Sequence, residues 1–585
     1  MYKVPKQFKF KYAATCFMLF CASIVTNGQV PYTLWGYGLQ VDVHEIATDA
    51  IGNVYVLGGF VGTVDMDPGP GVDIWTGVSN TWDICLLKFN AEGQYLWGRQ
   101  YGGASSDLTD GNDQGIGLGV DQQGNIYFGG NYSSLDVDFD PSANIVSIQG
   151  GGVIVTKLSS NGLLLWARQL DTEIPYAFGL QDISIDNAGN TVCSVGLGSL
   201  AGTLDLDPTE GEVLLPLPIE TSRLVWRLDA FGNYTWHKLI QGVLGSSPVS
   251  TDEAGSVYVA GGFIGSVNVG TTDSPVTLIS LGARDVLLCK YSSTGGLLWA
   301  RTISALSPSA SAAAWSMRSK GDQVLIGGQF TESFDFDPGL PSAPQVALGI
   351  DNWDGYLASY SSVDGQFVRA QKLGDIIGYD AVQSVNLDEI GNAYAIGIMK
   401  GSVDFDAGPG IAVLNVGLSQ ANYVAKWGPL GDAEYVFTDY TQAVQFNALA
   451  TGSGSDLFFG GATSGGQVDI DPSPSTFPIA GSVGWFGKYE QLLGTGLFPV
   501  MGNIIHEGLN LLRHADGRVE LSLPAGLSGG AFTLIDATGR LIEQQRPGSY
   551  AGKAIFEMVA KPSGVYLFQW IGNDGQLLSV RAVHY

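Results

Sequence analysis

Cysteine, histidine and charge are all scarce in this chain of 585 residues, and each shortage excludes a class of function. There are five cysteines. Cys16 and Cys21 fall in an apolar N-terminal segment, and Cys85, Cys193 and Cys289 each sit inside an apolar strand-like run. They read as small buried hydrophobes rather than a disulfide framework or a metal site. The five histidines, His44, His237, His506, His514 and His584, have no metal-ligand spacing among them. Lys and Arg total 28 against 56 Asp and Glu, a net charge of -28, and no basic patch interleaved with aromatics offsets it. Such a field repels polyanions, so no nucleic acid is expected as a partner. Long hydrophobic runs are lacking too: the apolar stretch over residues 13–25 is too short to cross a bilayer.

That stretch follows four lysines (Lys3, Lys6, Lys9 and Lys11) and precedes Asn27 and Gly28, which is the layout of a signal peptide over residues 1–28. Cleavage near Gly28 or Gln29 leaves an exported chain with no transmembrane segment. Bulky Phe20 ahead of Cys21 argues against a lipoprotein. Loss of the four lysines makes the mature chain more acidic still, which keeps it soluble and fits a monomer.

What the chain has in abundance is glycine, with 82 residues, and aromatic side chains, at 11%. With only 14% of residues charged, this is the profile of many short strands joined by tight turns, hence an all-β fold. Internal repetition sharpens it. ATDAIGNVYVLGGFVGTVDMDPGPG with DICLLKFNAEGQYLWGRQ is echoed by VDQQGNIYFGGNYSSLDVDFDP with GVIVTKLSSNGLLLWARQL, and by TDEAGSVYVAGGF with DVLLCKYSSTGGLLWARTI. The turn glycine falls at Gly52, Gly124, Gly189, Gly255, Gly321, Gly391 and Gly454, at spacings of 63 to 72 residues.

Each copy carries four β-like segments, and four antiparallel strands repeated radially make a β-propeller blade. Seven copies predict a seven-bladed ring over residues 29–491, with repeats near 43–103, 115–170, 181–240, 247–303, 313–373, 382–439 and 445–491. The fourth-strand Trp position is held by Trp97, Trp166, Trp236 and Trp299, then by Arg369 and Tyr435. The seventh repeat lacks its fourth strand. YTLWGYGL, with Trp35, supplies one at the mature N-terminus, so residues 32–40 are expected to close the last blade and remove two sheet edges.

The GNVYVLGG, VDFDPG and LLWARQ elements resemble those of secreted bacterial proteins with seven-bladed β-propeller repeats, the SBBP type. That resemblance covers about residues 32 to 490 and implies a fold but no single activity.

After a linker at 492–507, the chain loses the period. Residues 508–585 read as short strands in a small C-terminal β-sandwich. LIDATGRLI (Leu534 to Ile542) and PSGVYLFQW (Pro562 to Trp570) resemble the C-terminal sorting domain, type A, of type IX secretion cargo. The resemblance implies recognition by that machinery, export across the outer membrane of a Gram-negative bacterium, and attachment to the cell surface. The opening rich in proline and asparagine is replaced by NIIHEGLNLL, and the chain ends RAVHY rather than on a basic residue.

The chemical candidate within the repeat is an Asp-x-Asp element: Asp65 and Asp67, Asp138 and Asp140, Asp205 and Asp207, Asp335 and Asp337, Asp404 and Asp406, and Asp469 and Asp471. Strand alternation puts each pair on one face, roughly 6.5 to 7 Å apart. Three answers to that repulsion stand open: the acids cap the following turn, they bind calcium although a full calcium loop is missing, or they pair with the third-strand bases Lys88, Lys157, Arg227, Lys290, Lys426 and Lys488. The last pairing is not one-to-one, because Lys290 accompanies Asn268 and Gly270, while Asp335 and Asp337 accompany Ser359.

Catalytic motifs fail on context. The elbow-like Gly526 to Gly530 sits between strands, and the run Gly196 to Ala201, which loosely matches a dinucleotide fingerprint, opens no helix. His44, beside Glu45 on an inner strand, is the one histidine expected near a central channel, but strand neighbours point to opposite faces. The turn acids Asp49, Asp121, Asp186, Asp252 and Asp388 are explained by the repeat. No residue is therefore assigned as catalytic, cofactor-binding or metal-ligating. The expectation is a non-enzymatic surface or extracellular module binding an unknown glycan or protein through variable loops, among them 102–115 and the stretches near Trp75, Trp82 and Trp353. The alternative is a secreted polysaccharide hydrolase or lyase.

Overall fold

The computed structural model describes residues 25–26, 31–78, 81–103, 113–134, 136–140, 145–149, 152–170, 178–198, 202–337, 342–348, 352–406, 412–438, 444–452, 456–463, 467–472, 477–480, 482–490, 510–513, 518–522, 531–536, 541–545, 553–557, 564–571 and 577–584. Two compact units divide the chain, residues 1–491 and 492–585. Among the described residues every regular element is a strand.

The first repeat folds as an antiparallel sheet of Asp42–Thr48, Val54–Phe60, Asp83–Phe89 and Tyr95–Tyr101, paired in that order. Gln114–Val120 to Leu164–Leu170, Phe178–Ile185 to Tyr234–Gln241, and Ala312–Lys320 to Phe367–Leu373 repeat it. Two sheets are larger. One holds Val249–Thr251, Val257–Phe263, Asp285–Tyr291 and Leu297–Ala305, and adds Val243–Leu244 on one side and the ribbon Ser333–Asp335/Pro344–Val346 on the other. The other, Ala381–Leu387 to Ala433–Thr438, adds Val25–Thr26 at its outer edge. A last sheet combines Ala448–Thr451, Asp456–Ala462 and Gly484–Glu490 with Tyr32–Leu39.

The first strand of each sheet touches the first strand of the next, and Ala448–Thr451 touches Asp42–Thr48, so the inner strands form a closed circuit about one axis. This is an all-β propeller.

Sequence pattern and burial agree strand by strand. Second and third strands lie between neighbouring sheets, so VYVLGGF and DICLLKF are buried at every position and read as continuous apolar runs. The paired glycines of the second strand have a steric cause. A Cβ at Gly58 would stand 2.2 Å from the Asp42 carbonyl oxygen, and one at Gly328 would stand 2.0 Å from that of Ala313. The inner strand enters too close to its neighbour for any side chain.

The outer strand joins each sheet to the next. Trp166 Nε1 donates to Ala230 O at 3.1 Å and Arg168 Nε to Gly232 O at 3.0 Å, both on the tight turn of the following sheet. Trp236 reaches Ser293 O, Trp299 reaches Ser362 O, and Arg301 reaches Gly365 O in the same way. Gly232 has φ +79°, and a Cβ there would lie 2.9 Å from the Trp166 ring, so the turn glycine serves both the turn and the seat for the indole.

The N-terminal strand makes the same join. Trp35 opposes Lys488 as Trp97 opposes Lys88, and its Nε1 donates to Ala91 O at 3.3 Å on the first sheet's turn. Arg369 and Tyr435 occupy the corresponding register opposite Ser359 and Lys426. Hence Tyr32–Leu39, which precedes the first four-stranded repeat in the sequence, completes the last sheet.

The second unit contains a three-stranded sheet of Asn510–Arg513, Arg518–Ser522 and Lys553–Glu557, and a four-stranded sheet ordered Leu541–Gln545, Ala531–Asp536, Gly564–Ile571 and Leu577–His584.

Deleting residues 32–40 is expected to leave the last sheet with three strands and to lower the thermal midpoint measured by circular dichroism. A truncated chain that melts at the parent's temperature would refute closure by this strand.

Candidate functional site

The Asp-x-Asp element lies where each sheet's second strand runs on into a two-stranded ribbon, and its first acid binds backbone amides. Asp205 Oδ1 accepts from Asp207 N at 3.0 Å and from Val213 N at 2.8 Å. Asp65, Asp138, Asp335, Asp404 and Asp469 repeat both bonds, to the residues two and eight positions on. Asn268 does the same with Gly270 N and Val276 N, at 3.0 Å each. An uncharged amide oxygen serves as well as a carboxylate, so the position selects an acceptor that closes the ribbon loop. The second acid caps locally where that is described: Asp67 accepts from Gly69 N and Asp207 from Thr209 N.

Among the described residues the third-strand bases do not pair with these acids, which corrects that expectation. Arg227 meets the turn acid Asp186 at 2.7 Å, Lys290 meets Asp252 at 3.1 Å, and Lys157 lies 3.8 Å from Asp121. Lys426 and Lys488 find Glu434 and Asp456 at 2.7 Å each. The turn acids also accept amides two and four residues on, as Asp121 does from Gln123 N and Asn125 N. The cation completes its shell on the ring of the second-strand tyrosine, Lys157 over Tyr127 at 4.7 Å, and on a carbonyl of the following blade, Ala230 O.

A further recurring acid opens the third strand. Asp83, Asp285 and Asp354 are fully buried and accept amides from the preceding connection, at Val78, Leu281 and Leu348 respectively. Burial raises the carboxyls of Asp83 and Asp354 against these bonds, Asp354 to about 6. DICLLKF, DVLLCKY and DGYLASY each begin with this acid, so the signal was present as a repeat position.

The axial channel departs from the repeat. A β-bulge inserts His44 between Val43 and Glu45, and the same irregularity precedes Asp182, Ser316 and Ser384 in their inner strands. Simple alternation therefore does not apply at His44. Its Nδ1 lies 3.1 Å from Gly115 O, on the neighbouring blade, and its Nε2 is 3.7 Å from Asp42. Burial would lower the His44 pKa, but Asp42 and the Gly115 carbonyl outweigh it and raise it.

Glu45 and Asp182 share the post-bulge position on the inner strands of blades that are not neighbours, Arg318 stands on the inner strand of a third, and both carboxyls feel its charge. Burial pushes Glu45 up to about 7 and Asp182 to about 6, with Arg318 opposing in each case. Asp182 also accepts from Ile183 N at 2.8 Å and from Val249 N of the next blade at 2.9 Å. Strand reasoning singled out His44 and overlooked Asp182 and Arg318, because which residue faces the axis depends on a bulge that no local pattern marks.

Where the inner strands end, a cavity of about 220 Å³ opens on the axis, lined by Thr48, Arg318, Lys320, Asn386 and Thr451 among others. Among the described residues no group of three or more His, Cys, Asp or Glu side chains could hold a metal ion.

Cys85, Cys193 and Cys289 are buried, and burial pushes the Cys85 and Cys289 thiols up to about 12, a state in which they are unreactive. Trp75 is tied down by Asp73 at 2.7 Å, Trp353 lies against the Arg284 guanidinium at 5.9 Å, and Trp82 is exposed. Gly196 and Leu197 end a strand. Residues 199–201, 104–112 and 526–530 lie outside the described residues, as does the linker 492–507.

No protein-family model matches this chain, and no curated protein matches it. Among solved structures it is similar to a chain of the Mitotic Checkpoint Complex at 8% identity and TM-score 0.35, covering 78% of this chain and 94% of that one. It is also similar to the β-propeller domain of the Trilobed protease from Pyrococcus furiosus, which has an open velcro topology, at 10% identity and TM-score 0.30, over 68% and 95% of the two chains. A protein of unknown function from Dyadobacter fermentans matches at 9% identity and TM-score 0.30, over 70% and 98%.

Two measurements test these assignments. Asp205→Ala should cost about 1 to 2 kcal/mol in urea unfolding, whereas Asp205→Asn should stay near the parent and a calcium chelator should move neither midpoint. A chelator-induced drop in the parent that Asp205→Asn abolishes would instead establish calcium. The second concerns pH. Glu45 rises from its ordinary 4.5 to about 7 in the folded chain, so between those values the folded form holds a proton that the unfolded form has released. Stability therefore falls as pH rises through that window. Melting temperature should be higher at pH 5 than at pH 8, and Glu45→Gln should recover about 1 to 3 kcal/mol at pH 8 with little change at pH 4.5. A variant less stable than the parent at pH 8 would overturn the burial argument.

Proposed function

We propose that the chain is an exported, non-enzymatic binding module: a seven-bladed ring that presents variable loops to a glycan or protein outside the cell, with residues 508–585 directing type IX secretion. The count treats the five- and seven-stranded sheets as one blade each, and the closed circuit of inner strands supports it.

One observation carries the binding role. The recurring polar residues hold the ring together, so what varies is left at one face. Strands alternate in direction, which sends the connections between second and third strands, and those between blades, to the same end of every sheet. There Val72, Ile145, Ile219 and Leu281 are 62 to 80% exposed. Apolar side chains on a polar ring suit a partner surface.

Support for the secretion role lies in the second unit. The two segments resembling the type A sorting domain are neighbours in one sheet, with Phe532 opposite Trp570 and Leu534 opposite both Phe568 and Glu543. Two antiparallel sheets in this unit suit a β-sandwich.

A second reading, polysaccharide hydrolysis or elimination, is favoured by Glu45 and Asp182 on the axis, where a carboxyl near 7 could exchange a proton at neutral pH.

The discriminating experiment is a glycan and matrix-protein binding screen on the mature chain alongside a polysaccharide turnover assay. Binding without turnover is expected. Turnover abolished by Glu45→Gln, with no partner in the screen, would replace the binding reading with the enzymatic one. For secretion, removing residues 508–585 should retain the propeller inside a type IX-competent host, and undiminished surface display would refute the sorting role.

A further inference from the structure

The polar lining of the axial cavity is mostly committed to the wall. Thr48 Oγ1 donates to Thr451 O, Thr451 Oγ1 donates to Leu387 O, and Asn386 Nδ2 donates to Leu449 O, each at 3.3 Å. The Asn386 carbonyl takes the Leu387 amide at 2.9 Å, and Ser319 is bonded to Ser250. These bonds stitch successive inner strands together around the axis and commit most of the neutral polar lining.

Arg318 is the exception. A guanidinium offers five N–H donors, and this one makes a single bond, from Nη1 to its own neighbour Met317 O at 3.1 Å. It forms no direct ion pair among the described residues, although it feels Glu45 and Asp182. The remaining N–H groups of this half-buried guanidinium are not among the buried unpartnered atoms, so they face the water of the cavity, where a ligand can take them. Lys320, two residues on, adds a second cation at the rim, anchored to Glu389 at 2.6 Å. In a chain with twice as many acids as bases, both charged side chains lining the cavity are cations.

We propose that this mouth of the axial channel is a binding site for a small carboxylate-bearing molecule, held by the Arg318 fork with Lys320 at the rim. Planar bidentate pairing is the geometry a guanidinium offers a carboxylate. The cavity has room for several waters, hence for a ligand the size of one sugar or amino acid. Glu45 and Asp182 do not line this cavity but stand two residues deeper along their inner strands than the level of Arg318, so hydroxyl or ammonium groups of a ligand reaching past the guanidinium would meet them, which favours an acidic sugar or an amino acid over a bare anion. The site lies at the end of the ring away from the variable loops, so it stands whether or not those loops bind a partner.

Isothermal titration of the mature full-length chain with glucuronate, glucose and acetate in low salt tests this. Glucuronate should bind, glucose, which lacks the carboxylate, should not, and Arg318→Gln should weaken glucuronate about ten- to hundredfold. Lys320→Gln should weaken it less, and Arg318→Lys, which keeps the charge but not the fork, should fall between. Acetate binding as tightly as glucuronate would keep the Arg318 site but remove the role given to Glu45 and Asp182. Absence of glucuronate binding to the parent would overturn the proposal. So would affinity unchanged in Arg318→Gln, or equal affinity for glucose. Because Lys320 is at the rim, its variant keeps the test decisive if Arg318→Gln fails to melt as the parent does.

Discussion

Everything in the ring depends on one contact made again and again: an indole or guanidinium from the outer strand of one blade seated on the tight turn of the next. The contact combines an N–H donated to a turn carbonyl with an aromatic face laid over a glycine. Each half requires the other. A larger turn residue would displace the ring, and without the ring the turn would lose the cover over its backbone. Blades therefore cannot be exchanged or spaced independently, and the N-terminal strand can close the circle only because Trp35 carries the same group.

The repeat made the fold legible for the same reason. Turn glycine, paired strand glycines, the aromatic-cation pair and the Trp-Arg couple each answer a local steric or hydrogen-bonding demand, and each recurs because the demand recurs. Trp35 could be matched with Trp97 before any coordinates, since its neighbours YTLWGYGL carry the outer-strand pattern. The ribbon acids were legible only as alternatives. Asn268 in place of an aspartate was the clue that an acceptor, rather than a charge, is what the position needs, and the structure gives that clue its meaning through the two amides it binds. Pairing these acids with the third-strand bases failed because sequence proximity is a poor guide to which carboxylate a lysine reaches across a blade.

The channel was the least legible part. Its three charged residues come from three blades and occupy positions that in other blades hold small or neutral residues, such as Gly117 and Ser384 for the acids and Ala47 and Asn386 for Arg318, so no motif gathers them. A bulge sets which residue follows the turn of the strand toward the axis, and a bulge leaves no composition of its own. Function on a repeat scaffold is thus to be sought where the copies disagree, while agreement among copies reports on the scaffold.

Closure by the strand Tyr32–Leu39 also orders events in time. That strand pairs with Gly484–Glu490, which is made some 450 residues later, so a single contact spans nearly the whole propeller. Loop-closure entropy and high contact order make that pairing slow. Until the last repeat emerges, that strand remains an open edge, able to add to any sheet that offers one. A chain that emerges gradually from its N-terminal side keeps that edge unsatisfied until its last repeat is complete, and becomes a closed ring only then.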